Sequence, residues 1–277
     1  MSGMGDMAST APTATASQSI AAALVAARRA ARPLPAYPGT LPASLADAYA
    51  IQDDALRAMG GDVAGWKVGR IWPPHEQDYG SNRLAGPILA RRVFTADSAP
   101  AMPVFRGGFG AVEAEFVFRL GHVPLGQQRF TLAEAAATVA AVHVGIEIAS
   151  SPLAQINDLG PAVTVSDFGN NHGLVIGPAI ADWANADIDA WPITLAIDGV
   201  TVGSGRSGDF PDGTLGSLRF LLELLVARGI AVPTGTLVST GAITGVHPIA
   251  AGQSASMDFG GRHRIACHIT DAVPDIA

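Results

Sequence analysis

The chain has 277 residues, 48% of them hydrophobic and 15% charged, with 17 Lys+Arg against 24 Asp+Glu for a net charge of −7. This length can bury a real core as one large domain or two small ones, and the low charge excludes a mostly disordered chain. The acidic balance argues against a nucleic-acid-binding surface, and a single cysteine, Cys267, excludes an intrachain disulfide and any multi-thiolate metal site.

Residues 1–16 are small and polar and read as a disordered tail. Residues 17–32 read as an amphipathic helix ended by Pro33. Its apolar stretch is followed by arginines, not preceded by them, which is the reverse of a secretory leader. No other apolar run reaches the roughly 20 residues of a membrane span, so the cytoplasm is the expected compartment. Ser44-Leu-Ala-Asp47 resembles a capping box with Asp in place of Glu, opening a helix that Gly60-Gly61 closes.

Beyond residue 62 short apolar runs between Gly and Pro favour strands joined by tight turns. Residues 112–120 alternate cleanly. Thr131-Leu-Ala-Glu134 is a full capping box before an Ala-rich helix and the β-branched run 142–148. Asp198-Gly199 between two apolar runs signals a hairpin. Residues 216–228 form a helix with Leu218, Leu221, Leu222 and Leu225 on one face and Gly229 as its stop. A last hairpin turns at Gly260-Gly261. The sum is an α+β fold: an N-terminal helical segment over 17–62, then a mainly β catalytic domain over 63–277.

Gly203-Ser-Gly-Arg-Ser-Gly208 fits the dinucleotide pattern by letter only, because a hairpin precedes it and Pro211 follows before any helix. Neither a Walker motif nor a G-x-S-x-G elbow occurs, and the seven scattered histidines include no H-x-x-x-H pair.

The carboxylates say more. In Val112-Glu-Ala-Glu-Phe-Val-Phe-Arg-Leu120 the strand period puts Glu113 and Glu115 on one face, with side-chain origins roughly 6–7 Å apart. Alone, such a pair also describes an ordinary solvent-facing strand. Glu147 lies amid β-branched residues in Val142-His-Val-Gly-Ile-Glu-Ile-Ala149, where burying a charge is expensive without a partner. Three carboxylates in two apolar strands are what a hard ion such as Mg²⁺ or Mn²⁺ needs.

Lys67 is the only lysine. Either the other sixteen cations reflect a bias toward arginine, or this position needs an amine that can lose its proton. In Gly65-Trp-Lys-Val-Gly69 it sits on a short strand. Beside apolar neighbours and a metal its pKa would fall toward neutrality, as a proton shuttle requires; a lysine guarding a strand edge is the plainer alternative.

Taken in order, Gly65-Trp-Lys-Val-Gly69, Val112-Glu-Ala-Glu115, Gly145-Ile-Glu147, Val165-Ser-Asp167 followed by Gly173-Leu-Val-Ile-Gly177, Ser204-Gly-Arg-Ser207 and Thr240-Gly-Ala242 resemble the fumarylacetoacetate hydrolase superfamily, in its hydratase/decarboxylase branch. The resemblance implies a mixed β-roll and a homo-oligomer, with Mg²⁺ or Mn²⁺ held by Glu113, Glu115 and Glu147. It also implies Lys67 as acid/base, with Arg206, Thr240 and Gly241 facing a small 2-oxo acid. The implied reaction is hydration of a 2-hydroxydienoate, as in degradation of aromatic ring-cleavage products. A 4-oxalocrotonate-type decarboxylase, a C–C bond hydrolase and a non-catalytic partner subunit are the alternatives.

The branch's Pro-Asp-Phe/Tyr-Gly segment is imitated here by Gln77-Asp78-Tyr79-Gly80, closer to the lysine than the family spacing allows. Spacing aligns Leu84-Ala85-Gly86 there instead, with no acid. Either Asp78 serves as the second catalytic acid or that role is absent. His75-Glu76 nearby is either a water-activating dyad or a pair of loop residues.

Overall fold

The computed structural model describes residues 15–275. The tail expected over 1–16 therefore lies outside the described residues except at its end. There, Thr15 caps the first helix in a reciprocal box with Gln18.

Two helices lead, α1 (Ala16–Arg29) and α2 (Leu45–Met59), packed on each other through Leu24, Val25, Ile51 and Ala55. Ser44 caps α2 by accepting from the Asp47 backbone N–H, but its hydroxyl donates to the Asp47 carboxylate. The short Asp side chain thus closes on the cap's own hydroxyl, not on its backbone.

In chain order there follow β1 (Val63–Arg70), α3 (His75–Tyr79), β2 (Arg83–Leu89), β3 (Val93–Thr95), β4 (Ala101–Val104) and β5 (Phe109–Leu120). Then come α4 (Leu132–Ala137), β6 (Val139–Ser151), α5 (Pro161–Ser166), β7 (Asn171–Ala179), β8 (Ile193–Ile197) and β9 (Val200–Gly205). The chain ends with α6 (Gly213–Ala227), β10 (Leu237–Ser239), β11 (His247–Pro248), β12 (Ser254–Phe259) and β13 (His263–Asp271).

These strands make two mixed sheets. One runs β2-β1-β10-β5-β6-β7-β3, with β11 also on β5; the other runs β4-β13-β12-β8-β9. The pairs β1–β10, β3–β7 and β4–β13 are parallel, and the rest are antiparallel. Both expected hairpins form. Asp198 and Gly199 both take positive φ, the geometry a two-residue turn needs to match strand twist.

Alternation along β5 positions the site. Val112, Ala114, Phe116 and Phe118 enter the core, where the Phe116 ring lies 6.0 Å from Trp191 and 5.6 Å from Phe259 of the second sheet. The strand period then turns Glu113 and Glu115 to the other face of the first sheet. On that side the segment leading into β7 packs on β1, β2 and β6. Burial of the apolar half forces the acids inward as well.

Candidate active site

Glu113 and Glu147 are direct cross-strand partners on β5 and β6, and Glu115 is one pleat further along, opposite Gly145. A ligand oxygen from each of the three lies within 4.8 Å of the others, and all three residues are buried. Glycine is needed at 145, because a Cβ there would stand 2.5 Å from Val117 Cγ2.

Lys67 reaches the cluster from β1, which is an inner strand, flanked by β2 and β10. The residue is buried, so the edge-guarding alternative does not apply. Its Nζ lies 3.0 Å from Glu147 Oε2 and 4.0 Å from Glu113 Oε2. Burial works against the ammonium, but the Glu147, Glu113 and Glu115 charges outweigh it and raise the pKa above its ordinary value. Without a cation among them, the three acids at short range hold the proton on.

The carboxyls respond in the complementary sense. Burial pushes Glu113 up to about 7 against the pull of Lys67, with Glu147 adding to the rise. Burial, then the Glu147 charge, holds Glu115 well above the usual carboxylate range.

Neutral donors fix the outer oxygens. Gly241 N–H donates to Glu115 Oε2 at 2.8 Å, the Ser239 hydroxyl donates to the same atom, and Asn171 Nδ2 donates to Glu147 Oε1 at 3.0 Å. Glu115 Oε1 is buried without any hydrogen-bond partner. An orphaned carboxyl oxygen beside two further acidic side chains is a donor set that fits a hard divalent cation.

Lys67 and Glu113 open onto a cavity of about 420 Å³, within the range of small-molecule sites. Thr240 and Gly241 line it, and the Thr240 hydroxyl donates to the Phe116 carbonyl at 3.0 Å. Opposite them Phe168, Gly169 and Asn170 are consecutive left-handed residues, φ 57°, 63° and 65°. Such a run is costly for Phe and common only for Gly and Asn. Gly86 makes it possible, because a Cβ there would stand 2.1 Å from the Phe168 carbonyl oxygen. The turn brings Asn170 to the cavity wall, where its Oδ1 is buried and unpartnered.

Two expected residues are not brought to the site. Asp78 lies on α3 with an exposed carboxylate 3.4 Å from His75 Nδ1, and it does not line the cavity. His75 does line it, but pairs with Asp78 and not with Glu76. Arg206 is exposed at the end of β9, the outer strand of the second sheet, and is absent from the wall. In its place stand Arg70 and Arg83, direct partners across β1 and β2 that sequence reasoning passed over.

No family model matches the chain, and no curated protein matches it. Solved structures do match. 4-Oxalocrotonate decarboxylase from Pseudomonas putida G7, complexed with magnesium and adipate, superposes with a TM-score of 0.76 at 20% identity, covering 91% of this chain and 97% of that one. Fumarylpyruvate hydrolase from Pseudomonas aeruginosa, in complex with Mn²⁺ and pyruvate, gives 0.55 at 17% identity over 75% of this chain and 89% of that one. The 2-hydroxyhepta-2,4-diene-1,7-dioate isomerase of Mycobacterium marinum gives 0.52 at 15% identity over 76% and 77%. The chain thus has the fold these three enzymes share. No helix among the described residues is long and apolar enough to cross a membrane.

Proposed function

We propose that this protein is a divalent-cation-dependent lyase that works through the enolate of an unsaturated 2-oxo acid. One observation carries the reading: Glu113, Glu115 and Glu147 converge beside Lys67 at a cavity of ligand size. The three solved relatives support it, being named for reactions on acids of this kind, two of them with Mg²⁺ or Mn²⁺ bound.

Glu113, Glu115 and Glu147 would hold the cation, which when bound supplies Lewis-acid stabilisation of charge on a 2-oxo carboxylate. The rest falls to the chain's own groups. Gly241 N–H and the Ser239 hydroxyl fix Glu115, and Asn171 fixes Glu147, so the carboxylates need no reorganisation on binding. Lys67 keeps a proton at Nζ and delivers it to a substrate carbon, accepting one back when the reaction runs on. Val68, Ile71, Leu84 and Phe210 line the cavity and limit the water around the reacting carbons.

Two outcomes share this chemistry. Hydration stands first, because the ordered segments from Gly65 to Gly245 resemble the hydratase branch. Decarboxylation is the second reading, favoured by the whole-length likeness to a decarboxylase and by the position of Asp78 away from the cavity. Product analysis separates them. With Mg²⁺, 2-hydroxypentadienoate should be consumed with uptake of water, whereas release of CO₂ from 4-oxalocrotonate would favour the second. Failure to convert either with Mg²⁺ or Mn²⁺ would remove both.

A further inference from the structure

Arg28, Arg91, Arg92 and His172 gather on the far side of the 168–170 turn from the active cavity. They come from α1, from the turn after β2 and from the start of β7, and with Leu89 and Phe168 they enclose a second cavity of about 20 Å³. That is room for one water molecule or one ion little larger, and too little for phosphate or a carboxylic acid.

The charges around it do not balance. Arg28 is matched by Asp167, Nη2 to Oδ2 at 2.9 Å. Arg91 and Arg92 share the single carboxylate of Asp275, at 3.6 and 3.4 Å, longer than a well-made charged hydrogen bond. Among the described residues no other acid pairs with either, so one positive charge is left over.

His172 adds a donor. A guanidinium only donates, so the 3.4 Å approach of Arg28 Nη1 makes His172 Nδ1 the acceptor and puts the ring proton on Nε2. Burial, then Arg28, Arg92 and Arg91, holds the pKa of this histidine well down, so the ring is neutral and keeps that single N–H. Nε2 is buried and has no hydrogen-bond partner, which is costly for a donor.

We propose that this cavity is a binding site for one small inorganic anion of the halide class, held by His172 Nε2–H and the Arg91 and Arg92 guanidiniums. A halide accepts the orphaned N–H and cancels the surplus charge, whereas a water does only the first. The Asp275 carboxylate is the one lining group that opposes an anion, and at 34% exposed it is screened by solvent. The ion ties α1, the turn after β2 and β7 into one joint. Asn171, the first residue of β7, is also the residue that fixes Glu147. Nothing in the site depends on the glutamate cluster holding a cation.

The test takes the full-length protein in chelator and sodium gluconate, then replaces gluconate by chloride or bromide at constant ionic strength. Tm should rise along a saturating curve, by about 2–4 °C once the halide reaches roughly ten times its Kd, and bromide should act as chloride does. The rise should be lost in Arg92→Met and reduced in Arg91→Met. Arg91 is exposed, so its variant keeps the test open if Arg92→Met does not fold. Crystals soaked in bromide should show an anomalous peak in contact with His172 Nε2 and Arg92. A Tm that climbs without saturating, a rise equal in wild type and Arg91→Met, or no bromide peak in the cavity would each overturn the site and leave a bound water in its place.

Discussion

Glu113 and Glu147 face each other directly across β5 and β6, both buried, with Lys67 Nζ 3.0 Å from one and 4.0 Å from the other. Opposed like charges weaken a sheet, and burial makes them costlier. Glu113→Gln should therefore stabilise the protein in chelator at pH 8 by ~1–3 kcal/mol, measured by urea denaturation. The same substitution should abolish the rise in Tm that Mg²⁺ gives the wild type.

The raised carboxyls fix a pH dependence. A group whose folded-state pKa exceeds its unfolded value contributes stability fully below the ordinary 4.5 and loses it as pH rises through the folded value, about 7 for Glu113. In chelator the cluster should thus cost stability between pH 5 and 8. Mg²⁺ must displace those protons, so its stabilising effect should grow across the same window. His172 works in the opposite sense: burial, then Arg28, Arg92 and Arg91, holds its pKa well down, so its contribution is lost as pH falls below about 6.5. The difference in Tm with and without Mg²⁺, taken at pH 5.5 and pH 8.0, isolates the carboxylates.

Lys67→Met should lower turnover by about 10²–10⁴-fold, the range expected for a proton-transfer group. Mg²⁺-dependent thermal stabilisation should persist, because the carboxylates remain. Normal turnover in this variant would exclude Lys67 from the chemistry.

Away from the cavity, Arg28 on α1 makes a buried ion pair with Asp167, Nη2 to Oδ2 at 2.9 Å, and Ser151 Oγ donates to the same oxygen. The remaining guanidinium donors reach the Ser150, Asp167 and Asn171 carbonyls. Removing one partner strands a buried charge, so Asp167→Asn should cost ~3–5 kcal/mol by urea denaturation. Oxalate binding to the folded protein with Mg²⁺ should be unaffected.

The part of the site that lies on one strand was legible in the sequence. Period-two alternation alone puts Glu113 and Glu115 on a face opposite Phe116 and Phe118, and the apolar surroundings of Glu147 marked it as a paired charge. The Asp198-Gly199 turn and the Thr131–Glu134 cap were equally local. What was missed depends on register between strands. Arg70 and Arg83 meet only because β1 and β2 pair with Lys67 opposite Gly86, which no local pattern encodes. The doubled positive charge at one cross-strand position was the available signal, and it is visible only once the pairing is known. Asp78 and Arg206 drew notice by motif similarity, and the fold sends one to an exposed helix and the other to the far sheet.

The most direct measurement is an anomalous difference map from crystals soaked with Mn²⁺ and oxalate. The account predicts one peak about 2.0–2.3 Å from oxygens of Glu113, Glu115 and Glu147, with oxalate completing the coordination on the cavity side. A Mn²⁺ peak elsewhere, or oxalate bound away from those three side chains, would contradict it.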